Sequence, residues 1–310
     1  MTRKLLFTLI IVWSFLTVFG LPTPHQADLP EAEKYTIDLQ GHRGARGLYP
    51  ENTWPSIKSA IDHGMSTIEL DFHLTKDKKF VAHHDARIHR KNCRLGKTIP
   101  RRGLSLSKLT LKKLKAYDCG YGDQRRFPRL TQVRDSRILT MGQIVDKVRA
   151  YQAAELDQKV LLNLEIKLYT RKLRKIRSAA RALNKQIRKK HLVDTAKVQS
   201  FNHVFLNELR KLNKKVKLIA LFGKGRHSHK SILRAARAMS ADAINIHHSQ
   251  VNEKLVRRAH TAGIKVVVWT INKPGLITRM LNRGVDGIVS DYPDLLYDTW
   301  SKWTVLNQKA

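Results

Sequence analysis

From residue 35 onward the chain alternates short strand-like runs with amphipathic helical stretches, and this rhythm limits the fold more than any other feature. Strand-like runs occupy Tyr35–Gln40, Thr67–Leu74, Lys79–His83, Val160–Ile166, Lys197–Phe201, Val216–Leu221, Ala243–Ile246, Lys265–Thr270 and Gly287–Ser290. Helical periodicity fills the gaps at Thr53–His63, Met141–Gln152, Arg171–Lys190, His203–Leu212, Ser231–Ala238, Glu253–Thr261 and Leu276–Asn282. Gly64, Gly263 and Gly284 each stand just after a helix, where a stop signal belongs. Repeated strand, helix, strand units imply a parallel sheet, and about eight of them imply closure into a barrel. The expected fold is an α/β domain over residues 35–300, a single (β/α)8 TIM barrel with a small insert after the second strand. The alternative is an open doubly wound sheet, but no glycine-rich phosphate loop of the dinucleotide-binding type follows any strand. Residues 86–137 break the rhythm; rich in Arg, Lys and Gly, with one helix expected over Ser105–Tyr117, they read as an insert above the barrel mouth. At 310 residues and 42% hydrophobic content the chain can bury a full core, and α/β barrels of about 250 residues form one domain.

Charge appears on these strands where barrel enzymes keep their chemistry. Glu69 and Asp71 lie two apart on one strand, so period-2 alternation points both carboxylates the same way and Leu70 the other. Glu165 and Lys167 repeat the device at the end of Leu161-Leu162-Asn163-Leu164, an otherwise apolar strand. Three converging carboxylates, Glu69, Asp71 and Glu165, would make an oxygen-rich site for Mg²⁺ or Ca²⁺; taken one pair at a time, each is equally a salt bridge or an exposed strand end. His42 follows the first strand and His84 the run ending at His83. Beside carboxylates, two such histidines fit a general acid and a general base. His83 should point away from His84 and pack. Arg43 and Lys167 would supply positive charge to a phosphodiester, Arg by its fork and Lys as a point charge. Pro50-Glu51-Asn52-Thr53 reads as a helix start capped by Asn52 or Thr53, so Glu51 is as readily structural as functional.

The chain is strongly basic: 59 Lys and Arg against 25 Asp and Glu give a net charge of +34. Such a field attracts anions, though not nucleic acid in particular. The densest block, Arg171 to Lys190, holds ten basic residues and no acid, while Leu173, Ile176, Ala180, Leu183 and Ile187 recur at spacings of 3, 4, 3 and 4. This is an amphipathic helix with one docked face and a solvated basic one. Without an aromatic residue it offers no stacking platform for bases, which makes a nucleic-acid partner the weaker expectation. Attraction to an anionic membrane surface is the alternative to simple solubility.

Arg3 and Lys4 precede an uncharged run from Leu5 to Leu21, with Val18-Phe19-Gly20 near its end. Residues 1–27 are read as a secretory signal peptide cleaved near 20–27, and export to the periplasm or medium is expected; an uncleaved anchor is the alternative. Removing Arg3 and Lys4 would leave 34 − 2 = +32. The only cysteines, Cys93 and Cys119, fall in the insert, where in an oxidising compartment they could close a loop; two buried thiols are the alternative.

In order along the chain, His42-Arg43-Gly44, Pro50-Glu51-Asn52-Thr53, Glu69-Leu70-Asp71, Leu74-Thr75-Lys76-Asp77, His84-Asp85, Glu165-Ile166-Lys167, Trp269-Thr270-Ile271-Asn272 and the run from Gly284 to Pro293 resemble the motifs of the glycerophosphodiester phosphodiesterase family. The resemblance spans residues 37–295. It implies the (β/α)8 barrel, one divalent cation, Ca²⁺ or Mg²⁺, on Glu69, Asp71 and Glu165, and His42 and His84 as the catalytic pair. It also implies substrate contacts from Arg43, Lys167 and Trp269, and an extra segment corresponding to 86–137. Lys78 stands where a turn glycine is common, Asn202 where an acid is frequent, and His247 and His248 are an unusual pair read as exposed loop histidines.

The implied reaction is metal-dependent hydrolysis of a glycerophosphodiester to sn-glycerol 3-phosphate and an alcohol. One histidine would take a proton from the glycerol 2-hydroxyl as it attacks phosphorus and the other would protonate the leaving alcohol, water then opening a cyclic phosphate; direct attack by water is the rival path. Two other classes stand beside this reading. One is phospholipase D-like cleavage of lysophospholipids on the same barrel, and the other a basic protein that binds anionic surfaces.

Overall fold

In a computed structural model the chain is described over residues 37–94, 99–156, 159–225 and 227–308. The expected leader, residues 1–27, lies outside the described residues. The described residues, from Ile37 onward, belong to one compact unit.

The chain enters through β1 (Asp38–His42), α1 (Trp54–Asp62), β2 (Thr67–Leu74) and β3 (Phe80–Ala82). The insert carries β4 (Arg87–Ile88), β5 (Leu104–Ser105) and α2 (Leu111–Leu114), and α3 (Met141–Glu155) returns to the barrel. Strand and helix then alternate strictly: β6 (Leu161–Ile166), α4 (Leu173–Lys189), β7 (Ala196–Ser200), α5 (His203–Leu212), β8 (Lys217–Phe222), α6 (His229–Ala238), β9 (Ala243–His247), α7 (Glu253–Thr261), β10 (Lys265–Trp269), α8 (Pro274–Asn282), β11 (Gly287–Ser290) and α9 (Pro293–Gln308). Strands β1, β2, β6, β7, β8, β9, β10 and β11 pair in parallel in that order, and β11 pairs back onto β1, which closes an eight-stranded barrel.

Alternation along β6 explains both faces of the wall. Leu162 and Leu164 are buried outward beneath the helices, whereas Asn163 and Glu165 enter the barrel. Inside runs a chain of amides: Asn163 Nδ2 donates to Gln40 Oε1 (2.9 Å) and Gln199 Oε1 (3.1 Å), Asn245 Nδ2 also donates to Gln199 Oε1 (2.8 Å), and Gln199 Nε2 reaches Glu69 Oε1 at 3.1 Å. Each amide N–H₂ of the chain finds an acceptor, which spares it the cost of an unpaired buried donor, about 1–3 kcal/mol, whereas the Asn163 and Asn245 oxygens have no hydrogen-bond partner among the described residues. On the outside α4 buries Ile176, Ala179, Ala180, Leu183 and Ile187. Leu173, expected on that face, is 42% exposed because it opens the helix at the barrel mouth.

Three local expectations are corrected. The run ending at His83 is not a barrel strand; β3 lies antiparallel against the end of β2, pairing Phe72 with Ala82. The helix expected at Ser105–Tyr117 reduces to a 3-10 turn at Leu106–Lys108 and the single turn of α2. The insert is instead held by its own small core, including Ile88, Cys93, Leu106, Leu114 and Ile138, and by a disulfide between Cys93 and Cys119. Finally, α9 continues to Gln308, past the expected limit at 300. Among the described residues no helix is long and apolar enough to cross a membrane.

Candidate active site

The carboxyl ends of β1, β2 and β6 bring the charged residues together. Registers pair His42 with Glu69 across β1 and β2, and Asp71 with Glu165 across β2 and β6. Ligand oxygens of Glu69, Asp71 and Glu165 lie within 4.8 Å of one another, and all three residues are buried. Lys167 Nζ, just beyond β6, sits 3.0 Å from Asp71 Oδ1 and 2.6 Å from Glu165 Oε1. Arg43 closes the other side, its Nε 3.2 Å from Asp71 Oδ2, its Nη1 2.8 Å from Glu51 Oε2 and its backbone N–H 3.0 Å from Glu69 Oε2.

Local backbone makes this approach feasible. Arg43 is in the left-handed region at φ 53°, and Gly44 follows at φ 81°. A Cβ on Gly44 would stand 2.5 Å from the carbonyl carbon of Ser56, so only glycine lets this turn lie against α1. Asn52, expected as a helix cap, does other work. At φ 59° it donates from Nδ2 to Asp71 Oδ2 and accepts from the Asp71 N–H, both at 3.0 Å, so its amide brackets one carboxylate. Thr53 is the N-cap residue, yet its hydroxyl donates to Pro50 O rather than capping. Glu51 joins Arg43 to Arg46, whose Nε is 2.8 Å from Glu51 Oε2. Burial opposes ionisation of Glu51, but Arg43 and Arg46 outweigh it and hold the carboxyl at about 2.

Each histidine is aimed by a carboxylate at Nδ1. His42 Nδ1 donates to Asp291 Oδ1 at 2.6 Å, and His84 Nδ1 to Asp85 Oδ1 at 2.8 Å, which leaves both Nε2 atoms for chemistry. Burial, with help from Arg43 and Arg46, lowers His42 to about 4 against the pull of Asp291, so its imidazole is neutral at pH 7 and can accept a proton. Asp291 is itself fixed by Asn272, whose Nδ2 donates at 2.7 Å while its Oδ1 accepts from the Asp291 N–H at 2.9 Å. The segment bearing His84 is anchored from below. His73 Nε2 donates to His84 O at 2.9 Å, and buried His83 donates from Nδ1 to Asp85 O at 2.8 Å.

Burial, then Asp71 and Glu165, pushes the Glu69 carboxyl well above its ordinary value. Burial also raises Glu165, while Asp71 is held well below the usual range because Lys167 and Arg43 overcome its desolvation. The cluster is thus short of positive charge even with two cations beside it. Three buried hard oxygen donors in that state fit a divalent cation.

Trp269 closes β10 on the far side of the mouth, half-buried, with ring centroids 6.0 Å from Phe201 and 5.7 Å from His247. Lys167 Nζ lies 5.9 Å from the Phe201 ring, which links this aromatic wall to the carboxylates. His247 and His248 are half-buried and stacked at 4.4 Å, not free in a loop as expected. Asp291, Arg46, His73 and Gln199 are site components that sequence reasoning did not single out. Asp291 had a signal, since it stands directly after a strand inside a quoted motif.

Residues 42–295 match the model of the glycerophosphoryl diester phosphodiesterase family. A glycerophosphodiester phosphodiesterase of Caldanaerobacter subterraneus subsp. tengcongensis is 28% identical over 259 residues, covering 82% of this chain and 94% of the relative. Among solved structures, a phosphodiesterase of Oleispira antarctica in complex with the product sn-glycerol-3-phosphate aligns with a TM-score of 0.69 at 22% identity, over 85% of this chain and 96% of the other. A glycerophosphodiester phosphodiesterase of Parabacteroides distasonis aligns at 0.67 and 22%, over 89% and 100%. These two agree with the barrel. With the matched residues running from the first histidine past the last strand, the chain belongs to the glycerophosphoryl diester phosphodiesterase family.

Proposed function

We propose that this phosphodiesterase hydrolyses glycerophosphodiesters to sn-glycerol 3-phosphate and an alcohol, with a divalent cation held by Glu69, Asp71 and Glu165 and with His42 and His84 as base and acid. The observation that carries the reading is the pairing of a buried three-carboxylate cluster with two histidines that each donate Nδ1–H to a carboxylate. Bound there, the cation supplies Lewis-acid stabilisation of charge on the phosphoryl oxygens; both Ca²⁺ and Mg²⁺ suit carboxylate ligands.

The chain's own residues account for the remaining chemistry. His42 Nε2, neutral near pH 7, takes the proton from the attacking hydroxyl as the new O–P bond forms. Asp291 steadies the imidazolium that results, and Asn272 keeps Asp291 in place. His84 gives its Nε2 proton to the oxygen of the leaving alcohol as its O–P bond breaks. Where the attacking hydroxyl is the glycerol 2-hydroxyl, water then opens the cyclic phosphate with the roles of the two histidines reversed to give sn-glycerol 3-phosphate; where it is that of water, the same product forms directly. Lys167 and Arg43 hold the acidic cluster in register and turn positive charge toward the phosphoryl group. Trp269 and Phe201 form an apolar wall for the non-phosphoryl part of the substrate.

Export is part of the same proposal. A disulfide is stable chiefly in an oxidising compartment, so the Cys93–Cys119 bridge supports the reading of residues 1–27 as a signal peptide.

The experiment is product analysis on glycerophosphocholine, glycerophosphoethanolamine and glycerophosphoglycerol, with sn-glycerol 3-phosphate quantified. His42→Ala and His84→Ala should each lose about 10²- to 10⁴-fold in turnover. Near-wild-type turnover in either variant, or release of free phosphate in place of glycerol phosphate, would remove the assignment.

A further inference from the structure

We propose that the rim of the barrel mouth between β6 and α5 docks on an anionic phospholipid surface. Seven large apolar side chains are markedly exposed among the described residues, and four of them gather at two neighbouring connections: Tyr169 (73%), Leu173 (42%), Phe201 (47%) and Val204 (50%). Single exposed apolar residues need no explanation, whereas a contiguous group does. Tyr169 lies in the loop after β6, Leu173 opens α4, Phe201 follows β7 and Val204 stands in the first turn of α5. The two connections are tied together by Asn202, which donates from Nδ2 to Leu168 O at 3.2 Å and Thr170 O at 3.1 Å while its Oδ1 caps α5 at the Phe205 N–H. The apolar group is therefore held on a fixed frame.

Four cations border it. Arg171, Lys172, Arg174 and Lys175 are exposed, and none has an acidic partner among the described residues. Their side chains are long enough to place charge at lipid phosphates while the apolar group enters the interface. Farther along α4, Arg181, Lys185 and Arg188 are exposed on the solvent side, away from the mouth, and serve as an internal control. A polyanion would be satisfied by charge alone. An anionic bilayer also uses Tyr169, Leu173 and Val204, and that difference selects the partner. Docking in this orientation turns the carboxyl ends of the barrel strands toward the membrane. The inference stands independently of the reaction proposed above.

The test is sedimentation of the full chain with vesicles of pure phosphatidylcholine and of phosphatidylcholine with phosphatidylglycerol, at near-physiological salt. The amino-terminal apolar run is common to every variant, so only differences between variants count. Tyr169→Ser/Leu173→Ser/Val204→Ser should weaken binding to the anionic vesicles by about tenfold or more with net charge unchanged. Arg171→Gln/Lys172→Gln/Arg174→Gln/Lys175→Gln should weaken it at least as much, since each cation near an anionic surface contributes about fivefold. Arg181→Gln/Lys185→Gln/Arg188→Gln should change it by less than either. Thermal melting of each variant separates loss of the rim from loss of the fold. Equal binding by the wild type and the serine variant, equal losses in the mouth and outer-helix charge variants, or no preference for anionic vesicles would overturn the proposal.

Discussion

Asp291→Asn is the sharpest perturbation, because it changes one atom in a residue placed 249 positions from its partner. In the wild type one Asp291 oxygen accepts from His42 at 2.6 Å and the other from Asn272 Nδ2 at 2.7 Å. An asparagine has only one oxygen. Whichever way it turns, its new NH₂ meets a donor, and rotating the Asn272 amide in reply would break that residue's bond from the Asp291 N–H. His42 therefore loses its fixed tautomer. Its protonation state is not what changes, since burial already holds it at about 4 and losing Asp291 only lowers it further. Loss of a charge-assisted buried hydrogen bond costs about 1.5–3 kcal/mol in the folded protein. Orientation of the base is the larger effect, and turnover should fall about 10²- to 10⁴-fold, or about 2.7–5.4 kcal/mol of transition-state stabilisation. Steady-state kinetics on glycerophosphocholine, with thermal melting to confirm folding, gives the answer. Turnover within about threefold of wild type would refute the argument that Asp291 positions His42.

Two other perturbations test separate parts of the molecule. His42 titrates near 4 when folded and near 6.5 when unfolded, so between those values the unfolded chain binds the extra proton and stability falls on acidification. His42→Gln should flatten the pH dependence of urea-unfolding free energy in that window by up to about 1.4 kcal/mol per pH unit; an unchanged slope would contradict the buried neutral histidine. Cys93→Ser/Cys119→Ser opens a link spanning 26 positions, which on the chain-entropy account costs about 3.5 kcal/mol. The loss should appear as faster proteolysis within 86–137 with turnover largely kept, and an insert as resistant as the wild type's would argue against that role.

Much of the fold was legible because it is written in local periods. The expected limits of β2, α5 and α7 coincide with the observed Thr67–Leu74, His203–Leu212 and Glu253–Thr261, each a strong alternation or an amphipathic repeat bounded by a cap or a turn. Glu69, Asp71 and Glu165 were legible for the same reason, since strand alternation fixes their common side before any partner is known. What local pattern could not deliver were the long-range partners. Asp291 reaches His42 only once β11 closes against β1, and the amide chain from Gln40 to Asn245 exists only inside a closed barrel. The direction of β3 was equally hidden, because a short apolar run reads alike in a parallel or an antiparallel setting. Lys78 is a milder case. It takes the φ of 58° that a turn glycine would ordinarily supply, so departure from the expected residue left the turn intact.

The central claim is that three buried carboxylates hold a divalent cation that the acid and base histidines require. The direct test is turnover of a glycerophosphodiester by EDTA-stripped enzyme with Ca²⁺ or Mg²⁺ added back, alongside calorimetric binding of the same ions to Glu69→Gln, Asp71→Asn and Glu165→Gln. The account predicts no turnover without metal, recovery with at least one of the two ions, and joint loss of binding and turnover in all three variants. Full turnover in excess EDTA, or unimpaired metal binding by all three variants, would contradict it.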